Sequence, residues 1–306
     1  MEYYLAPLEG ITGYMYRNTV NRYFGEGISK YFTPFFQPHR KRSMYQREMK
    51  DIFPENNAGI KLVPQILTND PQDFLQFEKD MGDFGYKELN INLGCPSGTV
   101  TSKGRGSAFL KDTDGLKFFL DGVFSKTQAA VSIKTRIGAE DPAEFAKILD
   151  IYNSYPVYEL IIHPRVKTEM YSGRVHMDIF EYASDNACMP LCYNGDIWDT
   201  ASVPQLKENV RAVMCGRGMV GNPALIRELS GGSPLMKKEF DAFMEELFEV
   251  YIKVFSGVTP VLHKMKEIWV LTERYHKGSE KLYKAVYKSK NETEYKAAVK
   301  RLLESW

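Results

Sequence analysis

The stretch AVSIKTRIGAEDPAEFAKILDIYNSYPVYELIIHPR, residues 130–165, decides how the chain is built. It opens on an apolar run of strand length, AVSIKTRIG (130–138). DPAEFAKILDIYNSY (141–155) follows, where Asp and Pro mark a helix start and apolar residues recur every three or four positions. A second apolar run, YELIIHPR (158–165), completes a strand–helix–strand unit. The alternation continues in both directions. Candidate strands stand at YYLAP (3–7), SKYFTPFF (29–36), GIKLVPQIL (59–67), KELNINLG (87–94), MPLCYNGDI (189–197) and RAVMCGRG (211–218), with helix-like segments such as PQDFLQFEKDMGDFG between them. Eight strands, each followed by a helix, over about 230 residues predict an α/β fold, a (β/α)8 TIM barrel. A doubly wound sheet is the rival, but it would place G-x-G-x-x-G after the first strand, and APLEGITG does not fit that pattern.

After NPALIRELSGGSPL the pattern changes, and residues 236–306 carry only helical periodicity. Gly-Gly-Ser-Pro at 231–234 reads as a linker. The expected division is a catalytic barrel over 1–232 and a small all-helical domain over 233–306. From His263 to Trp306, eleven Lys and Arg stand against six Asp and Glu, so the tail has a basic end on a chain of formal net charge +1. That balance argues against a wholesale nucleic-acid coat but permits local basic faces. No stretch approaches the roughly 18 uninterrupted apolar residues that cross a bilayer. MEYYLAPLEG lacks a basic and then apolar leader, and four cysteines in 306 residues make no disulfide framework. A reducing, cytoplasmic setting is expected.

In such a barrel, polar residues at the carboxyl ends of the strands face the site. Here they are Glu9 after the first strand, Gln65 on the third, and Asn92 and Cys95 on the fourth. Lys134 and Arg136 follow on the fifth, His163 and Arg165 on the sixth, Asn194-Gly195-Asp196 on the seventh and Gly216-Arg217-Gly218 on the eighth. Glycine-rich turns on the last two strands, with Arg217 and His163 beside them, suit a phosphate group. Asn222-Pro223 is expected to begin the next helix.

Lys134 lies inside an apolar strand, where an unpartnered ammonium is costly. It is paired, a Schiff-base amine, or a cation beside an electron-rich cofactor. Cys95 sits between Gly94 and Pro96 at a strand end, ahead of the glycine-rich SKGRGSA. No Cys or His stands at metal-ligand spacing from it, so no metal is expected, and the thiol reads as a nucleophile or a proton donor. Cys188, Cys192 and Cys215 read as buried, inert thiols.

LAPLEGITG, NINLGCPSGTVTSKGRGSAFLKD, SIKTRIG, IIHPRVKTEMYSG, NGDIWD and CGRGMVGNP occur in the order found in tRNA-dihydrouridine synthases, and the chain resembles that family from its first strand to its last barrel helix. The resemblance implies bound FMN, with NADPH or NADH as reductant, and a helical domain that helps hold tRNA. It implies that Pro7, Leu8 and Glu9 line the flavin, with Gln65 and Lys134 at its polar edge. It assigns the phosphate end to His163, Asn194, Gly195, Asp196, Gly216 and Arg217. Cys95 becomes the proton donor, and Asn92 and Tyr171 touch the substrate nucleotide. Gly13, YFTPFFQP and HKMKEIW depart from the family's usual pattern, all on the RNA side.

The chemistry agrees with the residue types. Saturating the 5,6 bond of a uracil takes a hydride at C6, which a reduced flavin supplies, and a proton at C5 from a placed acid. The base must leave its stack, at a cost of a few kcal/mol. Phosphate contacts that offset this are expected from HRKR (39–42), Lys103, Arg105, Arg165, Lys167 and the tail residues Lys264, Lys266, Lys281, Lys284 and Lys288. A monomer acting on tRNA, away from membranes, is expected. The rivals are a dihydroorotate- or enoate-type flavin reductase, a flavin-free lyase using Lys134, and a non-catalytic RNA-binding protein on a decayed barrel.

Overall fold

The computed structural model describes residues 1–38 and 46–306. In chain order the elements are β1 (Glu2–Leu5), α1 (Tyr14–Phe24), β2 (Ile28–Phe32), α2 (Gln46–Met49), β3 (Leu62–Val63), β4 (Gln65–Ile66), α3 (Pro71–Asp83) and β5 (Glu88–Leu93). Next come α4 (Gly98–Thr101), α5 (Thr113–Phe124), β6 (Ala130–Arg136), α6 (Glu144–Asn153), β7 (Glu159–His163), α7 (Met177–Asn186), β8 (Leu191–Tyr193) and β9 (Val210–Cys215). The chain continues through α8 (Arg217–Gly221), α9 (Leu225–Leu229), α10 (Lys237–Val254), α11 (Val258–Thr272), α12 (Glu280–Lys288) and α13 (Glu292–Glu304).

One sheet runs β3-β2-β1-β9-β8-β7-β6-β5-β4. Its two ends, β3 and β4, are consecutive in sequence, so the sheet curls into a nearly closed barrel, and the fold is a TIM barrel followed by helices. The expected third strand, 59–67, is therefore two. Pro64 has no N–H to give a ladder, so the run breaks there. Leu62 and Val63 pair with β2, Gln65 and Ile66 pair with β5, and the Pro64 carbonyl accepts from Asn90 N at 2.9 Å. The second strand stops at Phe32, before Pro34, and touches the sheet again only through a bridge at Phe36. The helix starts follow the expected chemistry: Asp70 accepts from Gln72 N at 2.8 Å with Pro71 in the first turn of α3.

Two compact units emerge. The sheet unit comprises 1–4, 29–195 and 205–214; the helical unit comprises 5–28, 196–204 and 215–306. In the sheet unit the register aligns Asn90, Ser132 and Glu159 in one row, and Asn92, Lys134, Ile161 and Cys192 in the next. Partners in register share a face, so the second row brings Lys134 level with Asn92. Near the amino ends of the strands lies a buried ionic network. Lys30 Nζ meets Glu88 at 2.7 Å and Glu159 at 3.5 Å, and Tyr4 Oη donates to Glu159 at 2.9 Å.

In the helical unit, Phe243 of α10 packs on Phe24 of α1 with ring centroids 5.4 Å apart. Trp269 of α11 donates its indole N–H to Tyr295 of α13 at 2.8 Å. No helix among the described residues is long and apolar enough to cross a membrane.

Candidate active site

A continuous polar network links β4, β5 and β6 in the sheet unit and reaches the carboxyl end of β5 through Asn92. Gln65 Nε2 donates to Asn90 at 2.7 Å, Asn90 Nδ2 donates to Ser132 Oγ at 2.9 Å, and Asn92 Nδ2 donates to Gln65 Oε1 at 2.7 Å. These buried amides hydrogen-bond one another, which fixes their rotamers. Asn92 Oδ1 then accepts from the backbone N–H groups of Gly94 and Cys95, both at 3.0 Å. Asn92 thus fixes the backbone that carries the thiol. From the other side, Ser107 Oγ donates to the Cys95 carbonyl at 2.9 Å. Gly106, at φ 59°, allows this return: a Cβ there would stand 2.6 Å from the Cys95 carbonyl oxygen. Cys95 itself is half-buried.

Lys134 is half-buried, and neither a hydrogen bond nor an ion pair holds its ammonium among the described residues. Burial pushes it down to about 8, and the neighbouring Arg136 charge pushes the same way. Arg136 is almost wholly buried and points its guanidinium at carbonyls of two loops. The string marks Arg136 only as a strand-end residue, and strand alternation (Lys134, Arg136) is its one readable signal.

His163 is buried and lies 3.1 Å from Arg165 Nη1, while its ring stacks on Tyr171 at 6.1 Å between centroids. Arg165, expected beside the RNA, is buried and donates to the Gly173 carbonyl at 2.6 Å. Tyr171 is exposed. Lys103 is exposed on the loop after α4, whereas Arg105 leans on Asn69 at 3.3 Å and Asp73 at 3.7 Å. Asn194 Nδ2 donates to the Met214 carbonyl at 2.8 Å, and a Cβ on Gly195 would reach 3.0 Å from Tyr193 Oη.

The helical unit positions the remaining expected residues. Leu8 N donates to Thr12 Oγ1 at 2.7 Å in the turn that bears Pro7, Leu8 and the exposed Glu9. Arg217 pairs with Asp196 at 2.6 Å. Arg217 and Arg274 lie 5.2 and 4.2 Å from the centroid of the Trp198 ring, a grouping with no signature in the string. A Cβ on Gly216 would touch Ala6 Cβ at 3.4 Å. Arg217 starts the short helix α8 directly after Gly216, so Asn222-Pro223 opens the second helix after the strand rather than the first.

Two tail lysines have structural partners: Lys264 donates to the Gly10 carbonyl, and Lys266 to the Ser289 carbonyl at 2.5 Å. Lys281, Lys284 and Lys288 are exposed along α12. HRKR (39–42) lies outside the described residues. Cys192 and Cys215 are buried, but Cys188 is exposed, because it falls in the turn between α7 and β8 with its N–H on Asn153 at 2.9 Å. No group of three or more His, Cys, Asp or Glu among the described residues could hold a metal ion.

The comparisons with known proteins bear on the whole chain. tRNA-dihydrouridine synthase B of Pasteurella multocida is 29% identical over 227 residues, which cover 73% of this chain and 67% of that protein. A probable tRNA-dihydrouridine synthase of Rhodobacter capsulatus is 26% identical over 264 residues, covering 82% and 80%. Among solved structures, a variant of NCR from Zymomonas mobilis aligns with a TM-score of 0.49 at 12% identity, over 79% of this chain and 90% of that one. The profile described as Dihydrouridine synthase (Dus) matches residues 4–305, from the first strand to the last helix, and the chain belongs to that family.

Proposed function

We propose that this oxidoreductase reduces the 5,6 double bond of a uridine in tRNA, with FMN bound at the barrel mouth, NADPH or NADH as the electron source, and Cys95 as the proton donor. The observation that carries the reading is Lys134: an ammonium with no acceptor among the described residues, on the strand next to the braced Cys95 loop. A half-buried cation left in that state fits an anionic partner supplied from outside the chain. Bound FMN would supply the hydride for C6 of the base.

The chain's own residues do the rest. Lys134, with Gln65 and His163, would hold the polar edge of the cofactor, and Asn194 and Gly195 its phosphate side. The family resemblance adds Pro7, Leu8, Glu9, Asp196, Gly216 and Arg217 to that set. Asn92 and the Ser107 hydroxyl hold the Cys95 backbone from two sides, so the thiol can give its proton to C5 without searching for position. Tyr171 offers an exposed ring for an unstacked base. Residues 1–232 would act as the catalytic barrel and 233–306 as the tRNA-binding domain of a cytoplasmic monomer.

The purified protein should be yellow and release FMN on denaturation; a colourless protein that cannot be reconstituted with FMN removes the flavin. Cys95→Ala should keep FMN and its reduction by NADPH while dihydrouridine formation in tRNA falls by about 10²–10⁴, the range of a lost general acid. Unchanged product in that variant removes Cys95 from the mechanism.

A further inference from the structure

Arg136 holds two loops at once. Its Nε donates to the Gly94 carbonyl at 3.0 Å, one residue before Cys95. Its Nη1 donates to Val166 O at 2.9 Å and its Nη2 to Met170 O at 2.6 Å, one residue before Tyr171. The guanidinium carbon also lies 5.3 Å from the centroid of the Tyr171 ring. A planar fork with donors in three directions can do this, and an ammonium cannot. Among the described residues the guanidinium bonds to three backbone carbonyls and lies against Tyr171, so the cation is spent on holding backbone rather than on a carboxylate.

The second loop needs holding. Met170 sits at φ 52°, ψ −106°, a region that side-chain-bearing residues avoid, and its side chain is 43% exposed. The 2.6 Å bond from Arg136 to its carbonyl ties that backbone down. Glu169 completes the brace, accepting from Val166 N at 2.8 Å and lying 2.8 Å from His176 Nε2. The result is an exposed aromatic tip on a rigid support.

We propose that Arg136 is a positioning residue that sets the proton-donor loop and the Tyr171 loop at a fixed spacing, so that a uridine seated against Tyr171 meets the Cys95 thiol in register. This rests on the reading of Cys95 as the acid. In this role Arg136 acts through the Gly94 and Met170 carbonyls.

The test is Arg136→Lys in the FMN-loaded protein, which keeps the charge and loses the fork. Flavin content should stay at wild-type level. Single-turnover oxidation of the reduced flavin by a tRNA transcript should slow at least 10-fold, while the KM for tRNA changes less than 3-fold. Iodoacetamide should alkylate Cys95 several-fold faster, and hydrogen exchange should rise together in 94–107 and 166–173. Wild-type turnover in Arg136→Lys, or loosening of only one loop, overturns the proposal. If the variant does not fold, exchange in the wild-type protein decides: one joint opening of both loops supports the clamp, and independent openings overturn it. Cys95→Ala separates the two readings, since full activity there removes the acid while the coupled exchange of the loops still tests Arg136.

Discussion

Lys134 shows what the site costs the fold. Its folded value of about 8 lies below the 10.5 of a free lysine, so burial disfavours the charged form. At pH 7 both folded and unfolded chains hold the proton, and the folded chain bears a penalty of a few kcal/mol at about 1.36 kcal/mol per pKa unit. Between pH 8 and 10.5 the folded chain releases the proton that the unfolded chain keeps, so stability rises with pH across that window. Lys134→Met, stripped of flavin, should therefore melt higher than the stripped wild type at pH 7 and lose the rise between pH 8 and 10.5. Thermal unfolding against pH checks both. The same variant should retain FMN poorly. At this scale the string was readable where chemistry contradicts surroundings: a lysine in an apolar strand, a cysteine between Gly and Pro. It was mute on Arg136, because nothing in KTRIG tells which carbonyls fold back onto the guanidinium. Cys188 misled for the opposite reason: an apolar-looking neighbourhood in sequence is an exposed turn in space.

Among elements, the strands were legible as apolar runs, but their interruptions were set by proline. Pro64 turned one expected strand into β3 and β4, because a run that must ladder on both sides cannot do so without an N–H. Helix α8 was hidden for lack of length: five residues from Arg217 to Gly221 carry no periodicity to read. Helix α12 was legible, and the structure sorts its charges. Lys281, Lys284 and Lys288 recur at helical spacing and are exposed, whereas Lys264 and Lys266 of α11 are bonded to backbone carbonyls. The α12 face is then the better candidate for RNA phosphates. Replacing all three of its lysines with Gln should weaken tRNA binding without sequence preference and flatten the slope of log Kd against log salt by about 2–3. Melting temperature and FMN content should stay within error, because the side chains are exposed. An unchanged salt slope would place the RNA elsewhere.

Across the whole barrel, the two ends of the strands divide the work. At the carboxyl end of β6, Lys134 has no acceptor among the described residues, whereas at the amino ends Lys30 pairs with Glu88 and Glu159 and Tyr4 donates to Glu159. The barrel itself was legible by counting strands, but this network was not. Lys30, Glu88 and Glu159 stand far apart in the string and look like ordinary surface charges until the sheet curls. Lys30 and Glu159 are fully buried, so removing one partner strands the other charge in a dry interior. Lys30→Met should cost about 3–5 kcal/mol in urea unfolding. The double variant Lys30→Met, Glu159→Gln removes the two fully buried charges, leaving only the partly exposed Glu88, and should recover much of that loss, since a buried pair is worth little more than a well-packed neutral one. Both variants, assayed well below their melting temperatures, should turn over tRNA at near wild-type rates, because the network lies at the end of the barrel away from Cys95. If the double variant stays as unstable as the single, the network stabilises through Lys30 packing on Tyr4 and Tyr158, whose ring centroids lie 5.1 and 5.2 Å from its ammonium, rather than through paired charge.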